Sequence, residues 1–334
     1  MIWFTWRQFR TQFWIALGLV VALGAAFVIA QREVMAMYTS SGLAACLTDC
    51  DSLVDIFVQD VVRGTAHEIY QLGIAVMYVA PALIGAFWGA PLIAREMETG
   101  THRLAWNQSV TRTRWLVIKL VGIGAVAVAA IGLLSLGVTW SASLVDRYTE
   151  SWIGPFLFGA RGVVPLAYAA FAFTLGVALG LVIRRTVPAM AATLGVYVAA
   201  VVAMPMWIRA RLAPIHTATP PLDLERIDGI SISEGNEIRV FGADPVPGAW
   251  VLSNDTITAT GEPFVGPADP TKCGRAAPPR VCTEWLGSLG LRQDVRYHPA
   301  EQFWTLQWAE AGLFAALAVL LAGFCVWWVR RRLV

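Results

Sequence analysis

The chain has 334 residues, of which 57% are apolar and 14% charged, with a mean hydropathy of +0.60. Soluble domains carry about 25% charged residues, so the composition excludes an ordinary soluble fold and places the chain in the membrane class. The net charge of +2 discriminates nothing by itself, and no nucleic-acid partner is expected. Lys119 and Lys272 are the two lysines among 25 basic residues. With abundant Ala, Val, Gly and Trp, this usage points to a high-GC bacterial genome.

Residues 1–12 mix Trp, Phe, Arg and Gln. Trp3, Trp6, Phe9 and Phe13 approximate one helical stripe, with Arg7 and Arg10 elsewhere. This reads as an amphipathic helix lying in the membrane interface; a plain basic flank to the first span is the competing reading. Six charge-free runs follow, at 11–31, 69–94, 120–145, 162–183, 186–208 and 311–329. A crossing needs about 20 apolar residues, because the hydrocarbon core is about 30 Å thick and each helical residue rises about 1.5 Å. The expected fold is therefore an all-α integral membrane protein with six transmembrane helices. The first run is longer than the roughly 7–15 apolar residues of a cleaved signal and is expected to stay as a helix. The fourth and fifth runs are separated only by Arg184 and Arg185. An arginine at the bilayer centre costs about 2.5–3.5 kcal/mol, and Pro188 disfavours helix just before it, so two helices with a tight turn are expected. Trp3, Trp6, Trp14, Trp88, Trp140, Trp207, Trp304, Trp308, Trp327 and Trp328 cluster near span ends, as an interfacial belt does.

Placing both termini in the cytoplasm puts 12 Lys/Arg in the short inner segments and four in the two short outer loops, 31–68 and 146–161. That bias sets the expected orientation. The expected organisation is an interfacial helix at 1–12, helices one to five over 13–208 with a cytoplasmic loop at 95–119, an extracellular region at 209–303, and the sixth helix with a basic tail at 304–334.

Residues 209–303 are polar and proline-rich. Alternating runs such as Glu237–Phe241 and Asp255–Thr260 read as strands, giving a small β-containing extracellular domain between helices five and six. Cys46, Cys50, Cys273 and Cys282 fall on the outer side, where oxidation favours disulfides. Short loops favour Cys46–Cys50 and Cys273–Cys282, with a bridge between the first outer loop and the domain as the rival. His67, His216 and His298 lie on that side too, but no metal-ligand spacing links them to the cysteines, and no metal is expected. Cys325 reads as a small buried hydrophobe.

The substantial inner loop runs from Arg95 to Trp115. A solvated charged hairpin is the plain reading of its pattern. Its Arg-Glu-x-Glu-x-Gly-Thr-x-x-Leu run, then Ser-Val-Thr-Arg, then Lys119, resembles the signature of ABC-2 type permeases. Arg95, Glu96, Glu98, Gly100, Thr101, Leu104, Val110 and Arg112 carry the likeness, with Lys119 opening the next helix. Gln108 and Ser109 stand where a proline is common in that family. Phe303–Glu310 and Trp327–Arg332 also look like a permease subset from high-GC bacteria. The resemblance implies a coupling helix in this loop, two permease chains (homo- or heterodimer) with two nucleotide-binding subunits, and operation as an exporter in the bacterial plasma membrane.

The chain itself reads as a non-enzyme. No phosphate-binding loop precedes Lys119 or Lys272, and neither His-Glu-x-x-His nor Gly-x-Ser-x-Gly occurs. ATP and Mg would sit on the partner ATPase, and no cofactor is expected here. Glu310, with Gln307 one turn away, reads either as a polar contact on a substrate path or as a carboxylate among the outer headgroups. The apolar spans favour an apolar or amphipathic cargo. A sensor or assembly protein whose extracellular domain binds a ligand is the alternative.

Overall fold

The computed structural model describes residues 2–100, 111–149, 153–224, 227–232, 237–242, 246, 248–264, 266–267, 272–273 and 278–332. Six of its helices are long and apolar enough to cross a membrane. The chain divides into two compact units: the first holds the apolar lengths of the six spans, and residues 150–154 and 210–303 form the second.

In the first unit, α1 (Ile2–Ser40) is a single helix. It does not break at residue 12: neither Gly nor Pro occurs between Ile2 and Leu17, and a helix once nucleated propagates through such residues. After a connection in which Cys46 and Cys50 approach to a Cα–Cα distance of 6.0 Å, α2 (Asp51–Arg63) packs Phe57 and Val61 against Ala30, Val34 and Leu144. The second span begins as α3 (Thr65–Leu83), widens into a π-helical turn at Ile84–Gly89, and ends as α4 (Ala90–Glu98). Proline has no amide hydrogen and crowds the preceding turn. The wide turn follows Pro81, and a second at Met204–Ile208 contains Pro205.

The third span is α5 (Arg112–Ala142), the fourth α6 (Val164–Ile183) and the fifth α7 (Thr186–Ala203), extended by that second wide turn. Arg184 takes a left-handed conformation (φ 57°) and Arg185 an extended one, so the expected tight turn falls on the two arginines. Of the 18-residue apolar windows, 67% is buried in α6 and 11% in α1. The fourth span is therefore the centre of the unit and the first its periphery.

The centre is assembled through glycine. The π-helical turn and α4 cross α6 so closely that a Cβ on Gly89 would lie 2.5 Å from the Phe173 carbonyl oxygen, and one on Gly180 would lie 2.5 Å from that of Ala90. Small residues let helix backbones approach in lipid, where dispersion must replace the hydrophobic drive. The Gly85/Gly89 and Gly176/Gly180 pairs thus face one another.

The second unit contains two three-stranded antiparallel sheets among the described residues, one in the order β1 (His216–Ala218), β6 (Arg292–His298), β4 (Trp250–Ile257), the other β2 (Ile227–Ile232), β3 (Glu237–Gly242), β5 (Gly266–Pro267). The helix α8 (Pro279–Ser288) contributes Leu286 to a small core with Val240, Leu291, Cys273 and Cys282. The last two sit at disulfide distance, with Cα atoms 4.4 Å apart. The sixth span is α9 (Phe303–Arg331). The free thiol, Cys325, is buried within it.

Candidate functional site

Two polar clusters interrupt the apolar first unit, one at each end of the bundle. The first lies at the hairpin between the second and third spans. Lys119, 1% exposed, forms an ion pair with Glu96 and sits 4.9 Å from the centroid of the Trp115 ring. Burying a lysine within a membrane-spanning bundle is costly without such a partner. Two residues on, the Glu98 carboxylate accepts from the Thr186 backbone N–H at 3.2 Å and from its hydroxyl at 2.8 Å. A carboxylate at a helix N-terminus satisfies an orphan amide and complements the helix dipole. The two glutamates therefore fasten the end of α4 to α5 and α7 respectively.

Gly100 follows with φ 71°, a left-handed turn that glycine adopts without strain. Of the expected coupling residues, Arg95, Glu96, Glu98, Gly100 and Arg112 lie among the described residues, and Thr101, Leu104 and Val110 lie outside them. Thr111 caps α5, its hydroxyl accepting from the Arg114 N–H at 3.4 Å, and Arg330 donates to the Thr113 hydroxyl at 3.3 Å. A cleft of about 480 Å³ opens beside this hairpin, lined by Phe9, Gln12, Trp88, Arg95, Glu96 and Thr99 among others. Phe9 meets Trp88 edge to face at 4.9 Å.

The second cluster lies at the opposite end. Arg209, where the fifth span ends, donates to both Glu310 carboxylate oxygens at 2.7 and 3.1 Å, and to the Pro155 carbonyl at 2.6 Å. Its guanidinium lies 4.5 Å from the Phe158 ring centroid. The Tyr168 hydroxyl also donates to Glu310. The two charged side chains are 1% and 0% exposed, so the bidentate fork and the added hydrogen bonds must offset a large desolvation cost.

One turn away, the Gln307 Oε1 accepts from the Val163 and Val164 N–H groups at 3.0 and 3.2 Å, while its Nε2 donates to the Phe158 carbonyl at 2.8 Å. It thus serves the N-terminus of α6 as a cap supplied by another helix. The side-chain oxygens of Glu310 and both polar side-chain atoms of Gln307 thus meet partners within the first unit. Nearby, Arg161 donates to Asp146 at 2.8 and 3.0 Å and also to the Tyr70 hydroxyl. Burial pushes the Asp146 carboxyl up from its ordinary value, against the downward pull of the Arg161 guanidinium.

A family model described as ABC-2 membrane transporter related matches residues 17–209, more than half of the chain. The chain belongs to the ABC-2 membrane transporter related family. No curated protein and no solved structure matches it. The match runs from within the first span to the end of the fifth, and takes in the Glu96–Lys119 pair and, at its last residue, Arg209. Family membership and the six apolar helices make this a multi-pass membrane protein and a transport permease, of a kind that typically works with an ATPase subunit. The sequence reading missed Arg209 as the partner of Glu310. The signal was available: a basic residue closing the fifth span and an acidic one opening the sixth lie at the same end of adjacent crossings.

Proposed function

We propose that this ABC-2 related chain is the permease subunit of an ATP-binding cassette exporter in a bacterial plasma membrane. It carries an apolar or amphipathic molecule through its spans while separate ATPase subunits, in two copies, bind and hydrolyse ATP with Mg. A second permease chain completes the path. The termini and the 95–119 hairpin face the cytoplasm, in keeping with the excess of Arg and Lys on those segments, and residues 209–303 face outward.

One observation carries the reading. The hairpin that bears the permease-like motif is fastened through Glu96 to α5 and through Glu98 to the start of α7. A push on this hairpin from a cytoplasmic motor is thereby delivered to three spans at once. The acidic pair acts inside the permease, as the rigging of a lever, and the surface gripped by the motor is supplied by the rest of the hairpin.

The test is co-expression with an ATPase bearing a phosphate-binding loop, sought among the reading frames adjacent to this one. The two should co-purify, and in liposomes ATP hydrolysis should support export. The double substitution Glu96→Lys/Glu98→Lys should keep the complex but cut transport-coupled hydrolysis at least tenfold. Full coupling in that variant, or export by the chain without any nucleotide-hydrolysing companion, would refute the proposal. A chain that never meets an ATPase and instead binds a ligand through residues 209–303 would be the sensor or assembly protein.

A further inference from the structure

The cleft beside the hairpin belongs wholly to the first unit and changes character along its length. Arg95, Glu96 and Thr99 line it at the hairpin end, and Phe87, Trp88 and Leu92 line it farther along the same span. Phe9 and Gln12 of α1 and Ile123 of α5 close the other side. The edge-to-face contact of Phe9 with Trp88 joins the two walls at the apolar end. From Thr99 to Phe87 the wall follows about 18 Å of helix. One leaflet, headgroups included, is about 20–22 Å deep. The cleft therefore has nearly the reach of one leaflet, with its polar and apolar ends in the same order. Its volume of about 480 Å³ lies within the roughly 300–1,000 Å³ of small-molecule sites.

The polar end holds one unmatched positive charge. The Glu96 carboxylate is already paired with Lys119. Arg95 is exposed, and among the described residues no carboxylate pairs with it. A guanidinium is always charged and presents parallel N–H groups that match two phosphate oxygens. The α1 wall adds no acid, since residues 1–32 hold Arg7, Arg10 and Arg32 but neither Asp nor Glu. Residues 101–110, which follow in sequence, contain no acid either. An amine headgroup would find the lining carboxylate already held by Lys119. The charge thus selects an anion, and the apolar length selects one that carries an acyl chain. A free phosphate would leave that length empty. Basic pockets between spans take anionic lipid headgroups on the same grounds.

We propose that this cleft is a binding site for one anionic phospholipid from the leaflet on the hairpin side. Its phosphate sits against Arg95, and an acyl chain lies along Leu92, Trp88 and Phe87. The Gln12 amide offers a donor to the ester oxygens that follow the phosphate. The lipid fills the gap between α1 and the second span, so it is a resident of the bundle and not part of the bulk bilayer.

The test uses the full chain purified in detergent micelles. It is titrated with dioleoyl phosphatidylglycerol or with dioleoyl phosphatidylcholine, and bound lipid is counted by native mass spectrometry. One phosphatidylglycerol should be retained at a concentration about tenfold below that needed for phosphatidylcholine, the effect of one charge-assisted contact. Arg95→Gln should remove the preference, and Arg95→Lys should keep most of it. Phe87→Ala should weaken both lipids by the same factor, because it shortens the apolar wall and leaves the charge. Arg95 and Phe87 are both exposed, so these variants should fold, which thermal unfolding checks. Excess inorganic phosphate should not displace the bound lipid. Equal affinity for the two lipids, a preference that survives Arg95→Gln, unchanged binding in Phe87→Ala, or displacement by inorganic phosphate would each overturn the proposal. No ATPase and no cargo enter these measurements, so their failure would leave the transport reading standing.

Discussion

Two of the ion pairs in the membrane unit, both with a buried basic side chain, differ in how far water reaches them. Arg209–Glu310 is sealed: both side chains are inaccessible, and Pro155, Phe158 and Tyr168 surround the charges. Lys119–Glu96 is sealed on one side only. Its lysine is buried, but its glutamate is 15% exposed and lines the cleft at the hairpin. A closed pair holds helices at fixed spacing, because separating its charges exposes them to an apolar surround. A pair beside a cleft can be loosened at lower cost, since water can take over part of its hydrogen bonding. The contrast makes Arg209–Glu310 the costlier of the two pairs to open.

The largest expected effect tests the sealed pair. Arg209→Met alone leaves Glu310 buried and unpaired and should cost about 3–5 kcal/mol, read as a large fall in thermal midpoint and in folded yield from the membrane. Arg209→Met with Glu310→Leu should recover most of that loss, since breaking a buried pair is worse than replacing it. A double variant as weak as the single would break the comparison. Next comes Glu96→Gln, which should cost about 1–3 kcal/mol, less than Glu310→Gln in the same assay, because of the cleft beside it. Equal losses at the two ends would erase the distinction drawn here. The smallest effect is expected for Gln307→Leu. It removes an external cap and should cost about 1–2 kcal/mol, with faster amide exchange at Val163 and Val164 as the local readout.

Much of this was legible because membranes impose simple rules. The six spans, and the turn at Arg184–Arg185, follow from charge-free length and the cost of arginine in lipid. The π-helical turns were not legible. Pro81 and Pro205 announce a disturbance in their helices, but whether a helix kinks, ends or widens depends on what packs beside it. The continuity of α1 through residue 12 was hidden for a related reason: an aromatic and basic segment has the same pattern whether it lies along the membrane or continues a span. Glu310 was singled out by its cost, but its role depended on Arg209, 101 residues away in sequence. The partners of Glu96 and Glu98, Lys119 and Thr186, were equally hidden, because they lie 23 and 88 residues away in sequence.

At the crossing of the second and fourth spans, the backbones around Gly89 and Ala90 rest on those of Phe173, Gly176 and Gly180 with no side chain between them. Such a contact resists sliding, because a shift by one residue would bring the side chain of Val177 or Phe173 into a gap that holds none. A Cβ at Gly176 would lie 2.2 Å from the Gly85 carbonyl oxygen, so a single added methyl there would wedge the two spans apart without touching either ion pair.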